Sequence, residues 1–144
     1  MEYVNVFGLI FVAIILIPNV VFAMKCRDGF ANPWKNKFVE GIEQIGRFGC
    51  LTLMIVNPPG TCWGWRSDEA FAAYLLVDAA LVVLYGLIWI ICFRKKSLFR
   101  ALALSLIPSA LFLFSGIMSR SALLVLFAML FAPSHVLISC KNAR

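Results

Sequence analysis

Five long apolar stretches, parted by short polar breaks, fill most of this chain and leave it few ways to fold. They run over 6–24, 41–56, 70–93, 101–118 and 122–139. A helix rises 1.5 Å per residue, so about 20 such residues cross the roughly 30 Å of a bilayer's hydrocarbon core. The chain has 144 residues, 62% of them hydrophobic and 14% charged. Soluble domains sit nearer 45–50% and about 25%. One small soluble core cannot take up the surplus, but lipid can. Lipid in turn forces each segment to satisfy its own backbone, which selects helices. The expectation is an all-α, polytopic transmembrane bundle of five helices, forming a single domain over 1–144.

Breakers stand where this plan needs turns. Asn57-Pro58-Pro59-Gly60 stops the second segment. Ser119-Arg120-Ser121 is the whole polar gap between the fourth and fifth, short enough to force an antiparallel hairpin if both cross. One long helix or a re-entrant pair is the alternative. Of thirteen Lys and Arg, ten fall on one side: Lys25, Arg27, Lys35, Lys37, Arg94, Lys95, Lys96, Arg100, Lys141 and Arg144. Arg66 and Arg120 fall on the other, and Arg47 lies within the second segment. Basic loops stay in the cytoplasm, so the amino terminus is expected outside and the carboxyl terminus cytoplasmic, in the plasma or inner membrane. Trp34, Trp63, Trp65 and Trp89 near segment ends suit interfacial anchoring. The first segment also has a cleaved signal peptide as a rival, with Val21-Phe22-Ala23 as its cleavage site. Its acidic start, Met1-Glu2-Tyr3, speaks against that. The net charge of +6 is spread in these loops, which suits anionic headgroups. No basic domain exists to hold nucleic acid.

Ionisable groups inside a span are costly and tend to face the bundle or a wet cavity. Glu40, Glu43, Gln44 and Arg47 recur at i, i+3, i+4, i+7, which is one helix face, and Glu43 can pair with Arg47 directly. Two readings stand. The face is the wall of a cytoplasm-facing cavity, or the stretch lies flat as an interfacial amphipathic helix. Gly46 and Gly49 form a small patch that admits another helix closely. Prolines at 18, 108 and 133 free a backbone carbonyl beside Asn19, Ser109, Ser134 and His135. Asn19, Glu43, Gln44, Arg47, Ser109, Ser134 and His135 are thus expected to converge in the inner half as pocket candidates. The plainer alternative is that Asn19 and His135 only bond neighbouring helices.

Asp78 is separate, in the outer half with Arg120. It could relay a proton, bind a cation or pair with Arg120, and the pairing is the plainest of these. Five cysteines, at 26, 50, 62, 92 and 140, lack paired spacing. Only Cys62 falls outside, so no intramolecular disulfide, no metal site and no cofactor are expected. No catalytic residue is assigned. The one histidine follows Ser134, and adjacency does not make a nucleophile–base pair.

Ile17-Pro18-Asn19-Val20-Val21, Glu43-Gln44-Ile45-Gly46-Arg47-Phe48-Gly49-Cys50, Ile107-Pro108-Ser109 with Ser115-Gly116-Ile117, and the Ser134-His135 region together resemble a group of small, uncharacterised multi-pass membrane proteins of bacteria. The resemblance spans nearly the whole chain. It implies a histidine soon after Ser-Gly-Ile, where this chain has Ser119-Arg120-Ser121, and it brings no activity. The five-span count is also similar to that of tryptophan-rich sensory proteins, in topology alone. Three roles follow. One is binding or transport of an ion, lipid headgroup or small solute. Another is an accessory or structural protein without a ligand. The third is a small membrane enzyme using Glu43 or His135 as acid–base. Membrane lipids are the expected partners, and a homo-oligomer is compatible with the sequence.

Overall fold

The computed structural model describes residues 4–25, 36–56, 58, 66–92 and 98–143. Among these the chain is all-α, with five helices: α1 (Val6–Lys25), α2 (Lys37–Ile55), α3 (Asp68–Cys92), α4 (Leu98–Met118) and α5 (Ala122–Ala143). Cys26, Cys62, Trp34, Trp63, Trp65 and the basic residues 27, 35, 94–96 and 144 lie outside the described residues.

Polar caps set where the helices begin. Asn5 accepts the Gly8 N–H at 3.1 Å, so α1 starts at its N-cap. Asn36 accepts from Phe38 and Val39 at 3.1 and 3.3 Å, which carries α2 a full turn upstream of the expected start at residue 41. Ser67 accepts the Ala70 N–H at 3.1 Å, and Asp68 and Glu69 in the first turn of α3 meet the helix dipole.

The gap between α4 and α5 is a hairpin, not a continuous helix. The Ser121 N–H bonds the Gly116 carbonyl at 2.9 Å and the Arg120 N–H bonds that of Ile117 at 3.2 Å. These are the two bonds of a Schellman stop. Arg120 takes the left-handed position that glycine usually fills, at φ 54°. Ser121 then caps α5, its hydroxyl accepting the Leu124 N–H at 3.3 Å.

Helix neighbours close a ring in the order α1–α2–α5–α4–α3, with a slighter contact across it from α2 to α4. Lys25, Lys37, Arg100 and Lys141 gather at one end, called here the basic end. The far end holds the starts of α1, α3 and α5. There Asn5 joins three helices. Its N–H bonds the Ile55 carbonyl at 2.6 Å, and its amide donates to the Tyr74 hydroxyl at 3.1 Å. Asn5→Ala removes both a cap and this cross-helix bond. A loss of about 1–2 kcal/mol is expected, read as a lower unfolding midpoint in detergent.

Aromatic contacts line the α1–α3 seam, from Phe11 against Tyr74 to Phe22 against Trp89. At the basic end Arg100 lies 5.3 Å from the Phe22 ring centroid and donates to the Cys92 carbonyl at 3.3 Å.

Three helical segments are long and apolar enough to cross a membrane: Asp68–Cys92, Phe99–Met118 and Ala122–Lys141. Val6–Phe22 is a shorter apolar helix. Length and composition therefore give three spans where the sequence reading expected five. The physical reason is plain in α2, where Glu40, Glu43 and Arg47 dilute the apolar run. All five helices nonetheless present large apolar side chains outward, among them Ile17, Phe48, Leu76, Ile90, Ile117 and Met129. A surface so apolar on every side is foreign to a soluble monomer.

Candidate functional site

The polar residues of α2 meet α5 through a glycine step. A Cβ on Gly46 would lie 2.7–2.8 Å from the backbone N and Cα of Phe131. One on Gly49 would lie 2.5–2.6 Å from the Phe127 ring. Only glycine lets the two backbones come this near. One turn toward the basic end, that approach brings His135 against Glu43.

Glu43 is almost wholly buried, at 3% exposure. Its Oε1 accepts from the Arg47 guanidinium one turn on and lies 3.3 Å from His135 Nδ1. The His135 ring stacks on Phe131, with centroids 4.6 Å apart. Phe131 in turn rests edge-on against Phe112 of α4. The imidazole is thus fixed by a ring on one face and a carboxylate at its edge.

Glu43, Arg47, Cys50 and Met54 form one stripe at i, i+4, i+7, i+11. Three of these are closed off, at 3%, 0% and 2% exposure. The Arg47 side chain is 40% exposed. Packing therefore gives way around the guanidinium, between two buried levels of the same stripe. One of its nitrogens holds Glu43, and its planar fork has further N–H groups for a second acceptor.

At the same level, across the ring, Tyr85 of α3 donates to Asn19 Oδ1 of α1 at 2.8 Å. From the helix bounds, Asn19, Glu43, Tyr85 and His135 all lie about 9–12 Å from the basic end. The Arg47 charge reaches the Tyr85 hydroxyl. Asn19, Glu43, Arg47 and His135 thus gather in one half of the bundle.

Three other candidates do not join them. Gln44 is exposed on the outer side of α2, because one residue beyond Glu43 is about 100° around the helix. Ser109 donates to the Ser105 carbonyl at 2.7 Å, and Ser134 to the Leu130 carbonyl at 2.7 Å. Both are back-bonded to their own helix, a common use of serine inside an apolar helix. Ser134 is therefore no nucleophile aimed at His135.

Asp78 does not pair with Arg120. It is fully buried, and its Oδ2 accepts from Ser115 of α4 at 2.5 Å. Arg120 is exposed and spent on the hairpin. Tyr85, Asn5 and Ser115 were not singled out from sequence. Each is one polar residue in an apolar helix or at its cap, and only packing supplies its partner.

Cys50 and Cys92 are buried free thiols, and Cys140 is a partly buried one. Among the described residues no three His, Cys, Asp or Glu side chains come together. No family model, no curated protein and no solved structure matches the chain.

Proposed function

We propose that this is a five-span protein of the cell membrane, amino terminus outside, that binds an anionic group at Arg47 in the cytoplasmic half of the bundle. The half-open guanidinium, set between buried neighbours, is the observation that carries this reading. Glu43 fixes the guanidinium from one side. A phosphate or carboxylate would take its other N–H groups, as a fork-shaped donor favours. His135 stands on the opposite side of Glu43 and supplies a second group able to carry positive charge beside an incoming anion.

The five-span count has its own support. α1 and α2, at 20 and 19 residues, are each about 28–30 Å long, enough to cross with the other three. The charges of α2 that would bar it from lipid are turned inward and paired, while Ile45 and Phe48 face out. The basic end carries four described cations against Arg66 and Arg120 at the far end, which supports the orientation. The likeness to small bacterial multi-pass proteins is consistent with this setting.

The ligand chemistry is shared by a lipid headgroup and a free solute. Thermal unfolding in phosphatidylcholine nanodiscs, with and without inorganic phosphate, and in phosphatidylglycerol nanodiscs, separates them. Phosphate raising the midpoint points to a free anion, and phosphatidylglycerol alone doing so points to a headgroup. At 100 times the dissociation constant the gain is about 2.7 kcal/mol. Arg47→Gln is expected to remove it and Arg47→Lys to keep part. An unchanged gain in Arg47→Gln, or no gain with either anion, would leave Glu43, Arg47 and His135 as a lock between α2 and α5.

A further inference from the structure

In the other half of the bundle lies a carboxylate that the Arg47 site does not use. Asp78 is the most completely enclosed charged residue type in the chain, with no exposed surface. Its Oδ2 has one partner, the Ser115 hydroxyl, and its Oδ1 has none. α3 packs against α1 and α4. From α1, no charged side chain stands at this level, since Lys25 is at the opposite end. From α4, Ser115 is the facing polar group and Arg100 is again at the opposite end. On α3 itself the titratable neighbour is Tyr74, one turn toward the far end. Arg66 and Arg120 are exposed beyond the bundle. A carboxylate ion here would hold a full charge against one neutral hydroxyl, far short of what a buried ion needs.

The serines of α4 show how the enclosure is relieved. Ser105, Ser109 and Ser119 each donate to the carbonyl four residues back in their own helix. Ser115 departs from that pattern and donates across to Asp78. A hydroxyl rotates freely between such partners. We propose that Asp78 and Ser115 form a proton-binding site, in which Asp78 takes up a proton from the far-end surface and Ser115 turns as it does so. With Asp78 ionised, Ser115 donates to Oδ2. With Asp78 protonated, the acid donates along the same contact to Ser115 Oγ, and the Ser115 hydroxyl swings to the Leu111 carbonyl. One proton from bulk water joins one carboxylate, no other bond changes, and no charge is left buried.

The way in is polar. Asn5, half-buried at the far end, donates to the Tyr74 hydroxyl, and Tyr74 and Asp78 share a face of α3 at i, i+4. Ser115 is three residues from the end of α4, about one turn deep. An alkali cation fits the site less well, because Asp78 and Ser115 together offer it three side-chain oxygens where hard cations take about six or more.

Infrared spectroscopy of the chain in phosphatidylcholine nanodiscs reads the proton directly. The carbonyl band of a protonated carboxylic acid is expected in the wild type at neutral pH and is expected to vanish in Asp78→Asn. Ser115→Ala, which suits a helix and keeps Asp78, is expected to move the band without removing it. The wild type is expected to lose thermal stability as pH rises, and Asp78→Asn, a neutral mimic of the acid, to lose none. A wild-type spectrum identical to that of Asp78→Asn overturns the proposal. So does stability that follows sodium against choline at fixed pH, which would mark a cation site. If Asp78→Asn does not fold, the same decision rests on the band shift in Ser115→Ala, and an unshifted band overturns it.

Discussion

Gly46→Ala is expected to destabilise the bundle by more than about 3 kcal/mol, the upper range for overpacking a tight interior. The added methyl is the smallest possible, yet it would sit 2.7 Å from the Phe131 backbone nitrogen. Backbone cannot rotate away as a side chain can. α2 and α5 would have to part, and the His135–Glu43 contact one turn along would open with them. Gly49→Ala meets the Phe127 ring instead, which has some freedom to move, so its cost is expected to be smaller. Gly41→Ala and Gly86→Ala are the controls. Nothing lies within 4 Å of either added carbon. Both should be neutral or gain up to about 1 kcal/mol from helix propensity. Detergent-unfolding midpoints of the four variants give the comparison.

The second large effect is expected at Glu43. Glu43→Ala removes the one acceptor that serves both Arg47 and His135. Breaking a buried ion pair typically costs about 3–5 kcal/mol. Arg47 has an open side to turn toward, so about 3 kcal/mol, the lower end, is expected. Glu43→Gln keeps an acceptor oxygen and is expected to cost about 1 kcal/mol. A double-mutant cycle of Glu43→Gln with His135→Ala should return a coupling of about 0.6–1.7 kcal/mol, the range for polar pairs between membrane helices. A coupling of zero would mean that the α2–α5 crossing is held by the glycine step alone.

The sequence carried much of this architecture in hydrophobic length. The hairpin at Ser119-Arg120-Ser121 was legible because three residues leave no other route. The Glu43–Arg47 pair was legible because i, i+4 spacing is a local property. His135 as the third member was placed only in the right half of the bundle, since its contact depends on how closely Gly46 lets α5 approach. Gln44 was misplaced because a polar residue next to a site was counted with it, although one step around a helix turns it away. Ser109 and Ser134 had a nearer partner, their own helix, which the i−4 habit of serine could have signalled. The Ser115 bond to Asp78 joins residues 37 apart in sequence, and no periodicity reports it. α2 was read as starting at residue 41 because apolar length was weighed above the Asn36 cap.

Whether α2 crosses the bilayer beside its four neighbours decides the account, because the Arg47 site lies in the membrane only if it does. Single spin labels at Phe38, Ile45 and Phe48, in a chain whose cysteines are replaced by alanine and reconstituted in bilayers, measure this by collision. Ile45 and Phe48 face outward, at 59% and 62% exposure, and Phe38 stands one residue into the helix at the basic end. Labels at Ile45 and Phe48 are expected to meet oxygen dissolved in lipid and to be shielded from a water-soluble relaxant that reaches Phe38. Equal access of that relaxant to all three positions would put α2 in water or along the interface, and would contradict the five-helix membrane bundle and the site inside it.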